Sequence, residues 1–188
     1  MSRRPWRLGL GVVLLTGAPV LVGCGTERKD APEPLPTREV VREPAASAGG
    51  ACRLLDYPTI EEMVGTRFEV AAAGRRKDTS TCLVRAEEAE HPDLVLSVSP
   101  TDADAALFNE ELLPEGAKGV KGLGKAAYRL TVGPSREAGA AAEVGWLTGD
   151  KRLVTLRYTF PPGQERAAAD ELVDGLVRLA KKIDTSSL

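Results

Sequence analysis

The chain is poor in the side chains that carry most catalysis and most stacking. It has one histidine, three cysteines, two tryptophans, three tyrosines and three phenylalanines in 188 residues, so aromatics make up only 4%. So few rings argue against a broad platform for stacking bases or sugars. A lone imidazole, His91 beside a proline, is poorly placed as the base of a serine or cysteine triad, and no G-x-S-x-G occurs. His91 does sit among Glu88, Glu90 and Asp93, a weak divalent-metal pattern whose ordinary reading is a solvated surface turn. Basic excess is missing too. With 25 Lys and Arg against 27 Asp and Glu the formal charge is -2, and phosphate neutralisation along a nucleic acid needs concentrated cations. Nucleic acid is therefore not an expected partner. No apolar run is long enough to span a bilayer comfortably; the longest, from Leu8 to Val22, is short for that purpose.

That run has another use. Arg3, Arg4 and Arg7 precede it and Leu21-Val22-Gly23-Cys24 closes it, which is the layout of a secretory leader. The last four residues resemble the lipobox of bacterial lipoproteins. The resemblance implies a diacylglyceryl group on the Cys24 thiol and cleavage just before it, which makes residues 1–23 a signal peptide. Each buried methylene contributes about 0.8 kcal/mol, so two acyl chains anchor firmly where one is marginal. The expected location is the extracellular face of the membrane. An ordinary cleaved leader with an incidental cysteine is the plainer alternative. Without the leader the charge becomes -5, since it holds three arginines and no carboxylate (22 basic against 27 acidic residues).

Residues 24–50 then read as a tether. Pro32, Pro34, Pro36 and Pro44, mixed charges, and the small residues Ala45 to Gly50 leave little apolar surface to offset ordering entropy. The expected reach is roughly 30 Å as a coil and about 80 Å as extended polyproline. A proline-rich recognition ligand is the functional alternative.

The whole chain is 43% hydrophobic, a globular composition, and residues 51–188 have one domain's worth of length. Cys52 and Cys82 in an oxidising compartment favour a disulfide. Closing that loop would contribute about 3.5 kcal/mol in the chain-entropy model. A two-cysteine metal site is the alternative, although no CxxC spacing is present.

Element signals give an α+β order. Thr59 and Glu62 have capping-box spacing, predicting a short helix over Ile60–Val64 that Gly65 ends. Strands are expected near Arg67–Ala72, Ser80–Ala86 and Asp93–Ser99, the last because Leu94, Leu96 and Val98 alternate with Val95, Ser97 and Ser99. A second helix should start at Thr101 with an apolar stripe of Leu107, Phe108, Leu112 and Leu113. Glu115 to Lys125 reads as a loop, followed by strands near Ala126–Val132, Ala140–Leu147 and Lys151–Phe160. A long helix from Gln164 to Ile183 repeats Ala168, Leu172, Leu176, Leu179 and Ile183 at helical spacing. The expectation is one mainly antiparallel sheet of about six strands with helices packed on it, an αβα sandwich.

The last hairpin has two registers. A two-residue turn at Gly149-Asp150 pairs Trp146 with Leu153. A three-residue loop puts Ala142, Val144 and Trp146 on the Val154, Leu156, Tyr158 face. The second collects the apolar side chains and makes Trp146 core; were it exposed, it would lead the candidate ligand contacts, with Tyr128 and Tyr158 beside it.

Several residues together resemble a family of small actinobacterial lipoproteins with a secreted domain of unknown function. They are the lipobox, the spacer, Cys52-Arg53-Leu54-Leu55, Cys82, and Gly122-Leu123-Gly124-Lys125-Ala126-Ala127-Tyr128. The likeness spans nearly the whole chain through short motifs, and it departs at Lys125, where an acidic or small residue is expected. It implies a disulfide-bonded αβ sandwich, with the PsbP-like kind as one form, and no established activity or ligand.

Two glycine patterns are set aside. Gly119 to Lys125 matches the glycines and lysine of a P-loop, but Ala126 replaces the hydroxyl that would hold Mg²⁺ and a strand follows. Gly122, Gly124 and Ala127 mimic a dinucleotide fingerprint without its βαβ setting. The plainer reading is a lead-in whose backbone crosses close to another strand. Arg75-Arg76-Lys77 and Lys118, Lys121 and Lys125 are ordinarily solvated, with anionic lipid or wall polymer as the functional alternative.

The function that fits is a noncatalytic binding or accessory module with no cofactor and no metal. Its partner would be an envelope protein or a small apolar ligand. The alternatives are an envelope hydrolase using paired carboxylates and a structural or sensory ectodomain beside a membrane protein.

Overall fold

Alternating apolar side chains organise the domain into one sheet. In the computed structural model, which describes residues 42–187, seven strands follow the chain. They are β1 (Val70–Arg76), β2 (Thr79–Arg85), β3 (Asp93–Pro100), β4 (Lys118–Gly119), β5 (Ala126–Val132), β6 (Ala141–Leu147) and β7 (Arg152–Thr159). Their spatial order is β1-β2-β3-β7-β6-β5-β4, antiparallel at every junction. Three helices accompany them: α1 (Tyr57–Val64), α2 (Ala105–Leu107), which runs on into a π turn over Phe108–Leu112, and α3 (Arg166–Ala180). The expected α+β architecture is present, with one strand more than expected. The extra strand, β4, is two residues long inside the glycine- and lysine-rich loop, too short to show a period. The leader, Cys24 and the tether up to residue 41 lie outside the described residues.

One sheet face, here the inner face, holds the main core. Leu94, Leu96 and Val98 of β3 meet Val154, Leu156 and Tyr158 of β7 across the register. Trp146 pairs with Val154, so the β6–β7 hairpin has the three-residue loop, Gly149 to Lys151, with Lys151 in the left-handed region at φ 59°. Burying Trp146 selects that register, because a one-residue slip would turn it to the other face.

Two layers cover the inner face. Over β5, β6 and β7 lies α3, with α1 packed on it. Over β1, β2 and β3 lie two 3-10 turns, Ala45–Ala48 and Gly50–Leu54. Ala45 is 1% exposed and Ala51 fully buried. The domain therefore begins earlier than the expected boundary at residue 51: the described end of the expected tether, 42–50, is packed on the sheet. Small side chains let this segment lie close to it. The Cys52–Cys82 disulfide, with both residues buried, pins the segment to β2.

The helices differ from expectation in instructive ways. In α1 the cap is Asp56, whose carboxylate accepts from the Thr59 amide at 3.1 Å and its hydroxyl at 2.8 Å. Thr59 is thus the capped residue rather than the cap. Pro58 sits in the first turn, where a missing amide costs nothing, and Gly65 closes the helix at φ 69°. In α3 the buried stripe is Ala169, Val173, Leu176, Leu179 and Ala180, while Ala168, Leu172 and Ile183 are half-buried. Gly175 explains the rotation: a Cβ there would lie 2.3 Å from the Met63 carbonyl of α1, so the helices touch along that line. α2 starts at Asp104, which accepts from the amides of Ala106 and Leu107. The wide π turn then breaks the 3.6-residue spacing, and only Phe108 of the expected stripe is buried. Phe108 packs on the outer face against Tyr128 and Leu147. None of the helices among the described residues is long and apolar enough to cross a membrane.

Candidate functional site

The three aromatic candidates are sealed, and they do not share a site. Trp146 and Tyr158 belong to the inner core and are 2% and 3% exposed. The Tyr158 hydroxyl is 2.8 Å from the Thr66 hydroxyl, and its ring stands edge-on to Phe160 at 4.7 Å. Burial raises the Tyr158 phenol above its ordinary range, with Thr66 opposing and the Asp93 charge adding to the rise. Tyr128 lies on the other face and is 4% exposed.

Around Tyr128 a small polar network has formed. Its hydroxyl donates to Glu143 Oε1 at 2.7 Å, and Arg157 Nη1 donates to Glu143 Oε2 at 3.0 Å. The ring lies over its cross-strand partner Gly145; a Cβ at that glycine would be 2.3 Å from Tyr128 Cε1. Burial first, then the hydrogen bond to Glu143 and that carboxylate's charge, push the phenol well above its ordinary range, while Arg157 pulls the other way. A phenol so strongly held neutral is a structural clasp rather than a base.

The carboxylates with resolved shifts move in the wrong direction for a general acid. Asp150 is lowered chiefly by its hydrogen bond with Thr148, and Asp184 by hydrogen bonds from Ser186; a catalytic carboxylic acid is raised instead. His91 Nδ1 is 3.6 Å from Asp93 Oδ2. Among the described residues no three His, Cys, Asp or Glu side chains gather in a way that could hold a metal ion. The glycine loop leads into a strand: Val120 and Lys125 hydrogen-bond to Ala127 and Leu147, and a Cβ at Gly124 would lie 2.2 Å from the Leu147 carbonyl. That is the close backbone crossing expected of it, not a phosphate cradle.

What remains for recognition is on the surface. Three open clefts are lined by other residues. One of about 500 Å³ lies where residues 42–48 meet the start of β1, beside Tyr57, Arg67 and Glu69. Arg42 stacks on Tyr57 there, 4.1 Å from the ring centroid. A second, about 450 Å³, runs between β5 and α3 and is crossed by Arg129 to Asp174 and Thr131 to Asp170 contacts. A third, about 510 Å³, opens at the β1–β2 turn beside Arg53, Arg75 and Arg152.

Apolar surface is concentrated on the segment that Phe108 pins to the outer face. Leu107, Leu112 and Leu113 are 39%, 37% and 38% exposed. Their spacing predicts a buried stripe, and the π turn over Phe108–Leu112 overrides it. No family model, no curated protein and no solved structure matches the chain.

Proposed function

We propose that the protein is an exported, lipid-anchored module that binds another envelope protein. The carrying observation is the pairing of a closed core with exposed leucines. Trp146 and Tyr158 are sealed in the core, while Leu107, Leu112 and Leu113 are each more than a third exposed on a segment anchored by Phe108. A cluster of large apolar side chains held outward on a fixed element suits a protein contact. The leader, and Cys24 at its end, support attachment by a diacylglyceryl group on the outer side of the membrane. The buried Cys52–Cys82 bond fits the same oxidising side.

Two measurements test this. Cys24→Ser should release the protein from the membrane fraction or leave it unprocessed; unchanged partitioning would end the anchoring part. A photo-crosslinking residue at Leu112 in intact cells should give a discrete protein adduct that the same residue at Glu62, exposed on α1, does not give. Equal labelling at the two positions would count against the binding surface.

A further inference from the structure

The geometry points to a second site, a cationic cleft at the end of the sheet that carries the β1–β2 and β6–β7 turns, built to take a strand of phosphodiester-linked polymer. It stands independently of the anchor and of the leucine-bearing segment. Because β3 lies beside β7, residues far apart in sequence reach this one end. The cleft, about 510 Å³, is lined by Arg53 from the disulfide segment, Arg75 from β1 and Arg152 from β7, with Gly50, Gly74 and Ser80 among the small residues between them. One carboxylate, Asp78, also lines the cleft. Arg76, Lys77 and Lys151 continue the charge on the two turns; beside them Asp150 pairs with Arg152 and feels the charge of Asp184, and Asp102 follows Thr101, whose amide donates to the Lys151 carbonyl.

Two features mark this charge as placed rather than incidental. Arg75 and Arg53 have no carboxylate within ion-pair distance among the described residues, yet Arg75 is held, its Nε donating to the Lys77 carbonyl at 3.2 Å. Arg152 is held as well, by Asp150 at 3.0 Å and the Thr185 carbonyl at 2.9 Å. Second, the only non-glycine residues with positive φ among those described are Lys77, at 52°, and Lys151, at 59°. Both occupy turn positions that favour glycine, on tips roughly 14 Å apart at about 4.8 Å per strand. Lysine offers no local side-chain compensation for that backbone, as asparagine or aspartate would. Two turns at the same end accept the same strain and place the same charge beside one cleft, the pattern expected where local ease yields to a site.

The ligand's form follows from the shape. Guanidinium forks match phosphate oxygens. The three arginines line a concavity, which a single polymer strand can enter and the flat surface of a bilayer cannot. The cations beyond the cleft give neighbouring phosphates a place to sit, which a lone anion would not use.

The test uses the full-length protein in nonionic detergent micelles, titrated calorimetrically with a synthetic glycerol-phosphate hexamer, with inorganic phosphate, and with nanodiscs of phosphatidylglycerol or phosphatidylcholine. The hexamer should bind with a log K against log salt slope of about -2, roughly -0.7 for each of three contacted phosphates. Arg53→Ala/Arg75→Ala should weaken it about a hundredfold, near tenfold per charge-assisted bond. Lys77→Gly/Lys151→Gly should weaken it about fivefold per lysine while the melting temperature rises, so that misfolding is not the cause. Undetectable hexamer binding, or affinity unchanged by the arginine pair, overturns the site. Phosphate binding as tightly as the hexamer reduces it to a small-anion site and overturns the polymer. Binding confined to phosphatidylglycerol nanodiscs hands it to the bilayer instead.

Discussion

Gly145→Ala gives the sharpest check on the outer-face packing. A Cβ at 145 would lie 2.3 Å from Tyr128 Cε1, 2.4 Å from Cζ and 2.7 Å from the hydroxyl oxygen. All three atoms belong to one side chain, lying over Gly145 of the neighbouring strand with Phe108 beside it at a centroid distance of 5.9 Å. The ring has to lift. Overpacking of this kind costs about 1–3 kcal/mol. Lifting also breaks the 2.7 Å hydrogen bond to Glu143, and a bond to a charged group contributes about 1.5–3 kcal/mol. Against this, alanine restricts the unfolded chain and returns about 0.4–1 kcal/mol. The net is a loss of about 3 kcal/mol. At about 4 °C per kcal/mol for a domain near this size, the melting temperature should fall by about 12 °C. Circular dichroism melts and urea titrations read both quantities. In a Tyr128→Leu background the ring is gone, and the same glycine substitution should cost less than about 1 kcal/mol. A cost below about 0.5 kcal/mol in the parent, or an equal cost in both backgrounds, would refute the ring-over-glycine account.

Two further outcomes follow from buried groups. Tyr128, Tyr158 and Tyr57 all have phenols raised above the ordinary value by burial. A folded-state value above the unfolded one contributes stability that is full below about pH 10 and is lost as pH climbs through the folded values. Urea midpoints should therefore hold level to about pH 9.5 and decline above pH 10, with Tyr128→Phe less alkali-sensitive than the parent. A decline that begins at neutral pH, or identical alkaline slopes, would contradict this. Removing the disulfide with Cys52→Ala/Cys82→Ala should lower stability by about 3.5 kcal/mol and expose residues 45–54 to proteolysis. A midpoint that does not move, with the segment still protected, would mean that packing of Ala45 and Ala51 holds it without the bond.

Legibility in the sequence tracked how strongly each element repeats. β3 and β7 were readable because one face of each is buried and the side-chain period of two leaves its mark, whereas β6 is buried on both faces. The same alternation settled the last hairpin, since only a three-residue loop turns Trp146 inward. α3 was readable in extent, and its face was misjudged by about one residue because the glycine contact with Met63 depends on α1, a partner invisible to local periodicity. α1 was found and its cap misplaced: the spacing at Thr59 and Glu62 fits a capping box, but Asp56, one turn earlier, supplies the carboxylate. The run from Ala45 to Gly50 hid completely. Its buried member, Ala45, is small, so the run reads as linker, and only the Cys52 bond just beyond it hinted that it must lie against the sheet.

The surface features were harder to see for a topological reason. Arg75 to Lys77 stood out as a run of cations, and a run alone means solvated charge. Its weight comes from Arg53 and Arg152, and these join it only because the chain leaves β3, forms the β5–β6 pair at the far side, and returns to place β7 next to β3. Nothing in either local sequence encodes that adjacency. The positive φ of Lys77 and Lys151 is likewise a backbone fact that lysine, of all residues, does not advertise. The leucines are the converse case: their spacing advertised burial, and a π turn of five residues turned them outward. Where a local rule is broken by glycine-like backbone or by helical spacing, this fold leaves charge or apolar surface facing solvent, at two places that recognition can use.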